Sequence, residues 1–386
     1  MHRRAVLRAA LSVAPAVLLS ACAGLSATTA SPRAEATVTP ATPSPPATTS
    51  PAPATRSPLA PRAAPVKPVP FTGTVQHIMC HPLVAYPQRA FHGSKAQGYN
   101  EWFITAGEFD KILPQVHAND YILIDPHLMF AQTTVNGATV IAKRELLLPP
   151  GKKPLILSID DMNYYDYMRQ GGNVYRLVLD GGGRIATYSV DLQGTPVVSR
   201  DNEIVPLLDT FVADHPDFSF QGAKGLIALT GYQGILGYRT ADPTAADYAA
   251  TRRQAAAVVA RLKATGWRFA CHGWGHLDAA TISSATLVAD TGRWEAQVAP
   301  LVGPTDVYVY PFGAGLAPDD AKFKYLLSRD FRVFFGIGPI PFLRMTDQWM
   351  AMDRVQVDGL SLETEQKMLA PFFDAHTVLD RAARGL

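Results

Sequence analysis

The stretch Pro154-Leu155-Ile156-Leu157-Ser158-Ile159-Asp160-Asp161 is an unbroken apolar run that stops at two carboxylates. Its length and continuity predict a strand over 154–159 that is buried on both faces, as in a parallel sheet. Further runs follow the same plan outward along the chain. Residues 74–79, 225–229, 267–270, 306–310 and 331–335 read as strands. Between them lie amphipathic stretches. Thr105 and Glu108 have capping-box spacing and open a helix to about residue 117, and 203–214 reads as helical. Asp242-Pro243 opens a long helix with Tyr248, Ala255, Val259 and Leu262 on one face, stopped by Gly266. A helix around Trp294 and another over 322–328 complete the alternation, which predicts an α/β fold, a distorted (β/α) barrel. Residues 174–179, 184–190 and 196–199, with glycines between, read as a β-hairpin insertion at about 170–200. It is either decoration or a wall of a groove.

The N-terminal part is not expected to belong to this fold. Three arginines within the first eight residues precede an apolar run over 9–19, too short to span a bilayer comfortably. The run ends in Leu19-Ser20-Ala21-Cys22, which resembles the lipobox of bacterial lipoproteins. That implies a signal peptide over 1–21, lipidation of Cys22, and an extracytoplasmic chain held to a membrane through its lipid alone. Residues 22–70 then hold 12 of the 31 prolines, all within 23–70, among Thr, Ser and Ala. Such a segment cannot bury enough apolar surface to offset its ordering entropy and is expected to be a disordered tether. Fully extended, it would reach up to roughly 150 Å.

The domain expected over 71–386 carries 28 basic and 32 acidic residues, once the seven basic and one acidic residue before Phe71 are set aside. That balance gives no basic footprint and argues against nucleic acid as a partner. No obligate protein partner is evident. Beyond Cys22 only Cys80 and Cys271 remain, too few for a disulfide framework, and the sequence leaves their pairing open.

Three segments carry chemistry, each after a predicted strand, where the catalytic loops of a (β/α) barrel gather. Asp160-Asp161 offers one carboxylate for a metal and a neighbour for the water beside it. His272-Gly273-Trp274-Gly275-His276 places two imidazoles four apart on a turn that its glycines favour, a spacing that chelates zinc or a related ion. Val309-Tyr310-Pro311-Phe312-Gly313 ends a strand in a sharp turn whose amides can face the site. Asp161, His272 and His276 would leave coordination positions open, the pattern of a catalytic rather than a structural zinc site.

In this order the three motifs resemble those of the NodB-homology polysaccharide deacetylases, carbohydrate esterase family 4. The likeness runs through about residues 74–360. It implies a hydrolase that removes N-acetyl groups from an aminosugar polymer such as peptidoglycan, a chitin-like glycan or an exopolysaccharide. It further implies Asp160 as base, with Asp161, His272 and His276 holding a divalent metal, zinc by default with cobalt, nickel or manganese as alternatives. Tyr310, Pro311, Phe312 and Gly313 correspond to the motif that lines the groove and offers an amide to the oxyanion.

The departures from the family pattern are specific. Met162 stands where glycine usually follows the two aspartates, and 111 residues separate Asp161 from His272, consistent with the insertion. The arginine that orients the base is absent from the third motif, leaving Arg354 or Arg239 to replace it. The general acid is either His81, at a strand end, or His376, near the C-terminus. The glycine-rich loop around Gly231-Tyr232-Gln233-Gly234 reads as groove-lining. Trp274 either packs on the core or faces substrate. Two alternatives share these residues: an O-acetyl esterase or other amidase, and a non-catalytic glycan-binding lipoprotein.

Overall fold

The computed structural model describes residues 67–338 and 341–386. The expected signal peptide, Cys22 and most of the tether lie outside the described residues. Val69–Pro70, ahead of the expected domain start at Phe71, pairs antiparallel with Leu147–Leu148.

Seven parallel strands close on themselves: β1 (Gln76–Cys80), β2 (Lys153–Asp160), β3 (Gly225–Leu229), β4 (Trp267–Cys271), β5 (Val307–Val309), β6 (Val333–Ile337) and β7 (Met350–Gln356). Pairing runs β2-β3-β4-β5-β6-β7-β1 and returns to β2. The predicted distorted (β/α) barrel is thus the fold, with helices α1 (Ala106–Ala118), α2 (Ile204–Asp214), α3 (Tyr248–Ala264), α4 (Ser284–Gln297) and α5 (Ala321–Ser328) among its connections. A short strand, Tyr121–Leu123, also pairs with β2.

Strand side chains alternate between two apolar compartments. Leu155, Leu157 and Ile159 of β2 join the layer that packs with Ile112, Leu208, Val259 and Leu287 of the helices. Ile156 faces inward with Leu226, Ala270, Val307, Phe335 and Met350. Met129, Phe130 and Ile141, from the turn and hairpin Phe130–Val135/Ala138–Lys143, belong to the same interior cluster and plug the barrel's lower end. Above this plug the inward positions turn polar, and the site begins there.

One expectation needs correction. Asp242-Pro243 does not open α3: Asp242 Oδ1 accepts from the Thr244 N–H and hydroxyl, making a turn, and the helix starts at Tyr248. Gly266, at φ +97°, does end the segment; a Cβ there would lie 1.8 Å from the Gly222 carbonyl. The capping box of α1 is present, with Thr105 and Glu108 exchanging bonds of 3.1 and 2.8 Å. The 174–199 region forms a three-stranded antiparallel sheet, Arg176–Leu179, Ile185–Val190 and Pro196–Ser199.

Candidate active site

Ile156, Ser158 and Asp160 occupy alternate positions of β2, so Asp160 points into the barrel at its upper rim. Arg354 does the same from β7. Its Nη1 and Nη2 donate to the two Asp160 oxygens at 2.7 and 2.9 Å, and Nη1 also donates to Ser158 Oγ at 3.0 Å. His77 Nε2 meets the same hydroxyl at 3.0 Å. Burial alone would raise the Asp160 pKa, but the Arg354 guanidinium, followed by His272, holds it well below the usual carboxylate range. Asp160 is therefore ionised throughout the neutral range.

Asp161 begins the loop at φ +58°, a left-handed conformation that turns its carboxylate away from its neighbour's direction. Tyr165 donates to Asp161 Oδ1 at 2.6 Å and lies 2.6 Å from the Thr230 hydroxyl, leaving Oδ2 toward the histidines. His276 Nε2 is 3.5 Å from that Oδ2. His272 donates Nδ1–H to the Val309 carbonyl at 2.8 Å, which leaves Nε2 with its lone pair. One ligand atom each from Asp161, His272 and His276 lies within 4.8 Å of the others. Two neutral imidazoles and one carboxylate in this spacing fit a divalent ion of zinc's type. Burial, opposed by Asp160 and Asp161, lowers the His272 pKa and favours its neutral form.

The histidine turn is clamped from outside. Asp290 on α4 accepts from the Trp274 and Gly275 amides, both at 2.7 Å, and a Cβ at Gly273 would lie 2.8 Å from its Oδ2. This clamp was not legible in the sequence, because nothing marks one aspartate in a helix as the partner of a turn fifteen residues earlier. Trp274 packs outward: its Nε1 donates to Gln297 Oε1 at 2.8 Å and Arg293 lies over its ring. Its ring also meets that of Tyr232 edge-on, at 6.4 Å between centroids.

Of the third motif, Phe312 stands 55% exposed, at φ +58°, with its ring edge-on to His276 at 4.5 Å between centroids. No acceptor among the described residues takes its N–H. Gly313 sits so tightly on Ile337 that a Cβ would lie 2.5 Å from it, and Pro311 is buried. Tyr310 is a correction. Its side chain is buried against Tyr308 and Phe334 in the layer under the helices, so it lines no groove.

His81, the residue after β1, holds its Nδ1 3.1 Å from the Trp102 carbonyl, which directs Nε2 away from that contact. It is near enough for its charge to lower the pKa values of Asp160 and Asp161. His376 belongs elsewhere. It is exposed on the short helix Ala375–Val378, which is tied to Gln115 near the C-terminal end of α1, below the barrel. Arg239 is occupied with Asp166 and the carbonyls of Tyr164 and Gln233, so Arg354 alone pairs with Asp160. Met162 is wholly buried and shapes the core rather than the mouth. Tyr232 stacks on Tyr165 at 4.8 Å. Cys80 and Cys271 are free, buried, and on strands that are not neighbours.

No family model and no curated protein matches the chain. Among solved structures it is similar to Streptococcus pyogenes deacetylase PplD in complex with acetate, at 14% identity and TM-score 0.44, covering 79% of this chain and 100% of that one. It is also similar to a de-N-acetylase from Aggregatibacter actinomycetemcomitans, at 12% identity and TM-score 0.42, covering 78% and 100%. IcaB from Ammonifex degensii matches at 13% and 0.39, covering 75% and 93%. Likenesses this distant assign the chain neither an activity nor a substrate.

Proposed function

We propose that the protein is a metal-dependent hydrolase that removes N-acetyl groups from an aminosugar polymer. The observation that carries this reading is the pairing of two unlike carboxylates at one strand end. Asp161 converges with His272 and His276, while Asp160 is held ionised by Arg354 beside them.

A divalent ion held by Asp161, His272 and His276 would supply Lewis acidity for the amide oxygen and a more acidic water. The chain's own groups do the rest. Asp160 accepts a proton from the attacking water, and Arg354 keeps its carboxylate in one orientation. The Phe312 N–H donates to the oxygen as it gains charge. His81 delivers a proton to the departing amine, its ring fixed through Nδ1 by the Trp102 carbonyl. Water and amide become acetate and free amine, with no other reactant. Phe312 and the aromatic flank at Tyr232 suit the faces of sugar rings. Cys22 would hold the enzyme by its lipid outside the cytoplasm, with the expected tether as reach toward the glycan.

The test is acetate release by the purified protein from acetylated chitooligosaccharides and from peptidoglycan, with chelator and with zinc restored. Release that chelator stops and zinc restores is expected. No release from a protein of full metal content would overturn the hydrolytic reading, and release only from O-acetylated glycan would move the reaction to esters.

A further inference from the structure

Beside the site, one residue beyond Tyr165, three guanidinium groups gather around the Gly231–Arg239 loop, and among the described residues Asp166 is the one carboxylate paired with any of them. Arg239 is paired with Asp166 at 2.6 Å. Arg169 donates through Nη2 to the Gly237 carbonyl, and its Nε, buried, has no acceptor among the described residues. Arg176 is the most unusual of the three. Its guanidinium lies 4.6 Å from the ring of Tyr188, its cross-strand partner, and 5.8 Å from that of Tyr238. Its Nε, buried, has no hydrogen-bond acceptor among the described residues.

The fold enforces this arrangement. Gly237, at φ +88°, lets the loop press onto the inserted sheet, where a Cβ would lie 2.2 Å from the Tyr175 carbonyl and 2.4 Å from Arg176 Cβ. Tyr238 is fixed beneath by its bond to the Leu177 carbonyl at 2.9 Å. Burial, and then Arg239, push Arg169 down to about 10, as expected where cations crowd without enough counter-charge. Like charges brought together by a tight turn cost stability unless an anion joins them, and partly occupied guanidinium forks match carboxylate and phosphate oxygens.

We propose that Arg169 and Arg176, with Arg239 behind them, form an anion-binding subsite that takes a carboxylate or phosphate carried by a sugar flanking the one deacetylated. The substrate would then be an acidic glycan rather than a neutral one. This rests on the glycan reading above and narrows it. It also gives the inserted sheet a task, since Arg176 and Tyr188 both belong to it.

Titration calorimetry of the zinc-loaded full chain, with neutral, carboxylate-bearing and phosphate-bearing acetylated tetrasaccharides in separate arms, tests it. At least one anionic oligomer is expected to bind about tenfold tighter than the neutral one at low salt, the size of one charge-assisted contact. The gap should narrow as salt rises. Arg176→Gln and Arg169→Gln should each remove most of it while shifting neutral-oligomer affinity less than about twofold, within the change that a distant surface substitution makes. Should Arg176→Gln fail to fold, Arg169→Gln carries the same expectation. Equal affinity for all three oligomers, or a preference that survives both substitutions, would overturn the proposal. Acetate release run in parallel separates the two readings. Preference without release keeps the subsite and removes the reaction; release without preference does the reverse.

Discussion

Asp160 and Asp161 are the same residue type one peptide apart, and backbone alone makes them different. Asp160 ends a strand and points inward to Arg354; Asp161 is left-handed and points to the histidines. Exchange of one oxygen for an amide separates their roles. Asp160→Asn is expected to lower acetate release at least about a hundredfold, the span of a lost general base, with bound metal unchanged by elemental analysis. If the variant stays active, Asp160 is not the base. His81→Gln is expected to reduce kcat more than KM, since an acid on the leaving amine acts at the chemical step and not in binding. The sequence exposed Asp160, Asp161, His272 and His276 because each lies within a short motif. It left Arg354 as one of two choices because the bond to Asp160 joins residues 194 apart.

At the scale of elements, the decisive unit is the clamp between α4 and the histidine turn. His276 has φ +53° and Gly273 φ +66°, so the turn needs external support to hold both imidazoles toward one point. Asp290 gives it through two short bonds. Asp290→Asn would set an amide N–H against one of those donors, and metal affinity is expected to fall about 10- to 100-fold, the usual cost of losing a support behind metal ligands. Competition with a chromophoric chelator measures this, and unchanged affinity would show that the turn holds itself. Strands and helices with clean periodicity were legible to within a few residues. Among those that were not are β7 and the plugging hairpin. β7 has Arg354 at an inward position, which breaks its apolar pattern, and the plugging hairpin 130–143 is polar along most of its outer face. A charge inside a barrel and a sheet outside it both defeat a reading based on apolar runs.

At the scale of the whole molecule, two polar clasps tie distant segments together. Below the barrel, His127 lies between Asp125 at 2.6 Å and Asp306 at 2.8 Å, joining the turn before the plug to the entry of β5. Burial works against its charge, but the two carboxylates raise it to about 9. Because this folded value exceeds the unfolded value of about 6.5, its stabilisation is complete below that pH and is lost as pH rises through 9. Thermal unfolding should therefore show a decline in Tm between these values that is absent from His127→Gln.

The second clasp closes the chain on itself. Arg384, third from the end and buried, donates Nε and Nη2 to the two oxygens of Glu108, both at 2.7 Å, in the capping box of α1. It also donates to the carbonyls of Asn100 and Phe103, either side of Trp102, whose own carbonyl holds His81. Removing one partner of a buried pair leaves the other charge without compensation, a loss of about 3–5 kcal/mol. Arg384→Met should thus lower Tm by several degrees. If uncompensated charge is the cause, adding Glu108→Gln should recover part of that loss, since glutamine still offers an acceptor to Thr105. A purely local view of the C-terminus expects no effect on turnover. The connection through Trp102 expects kcat of Arg384→Met, measured well below its Tm, to fall with little change in KM, because the His81 ring, proposed above as the acid for the leaving amine, has lost its fixed support.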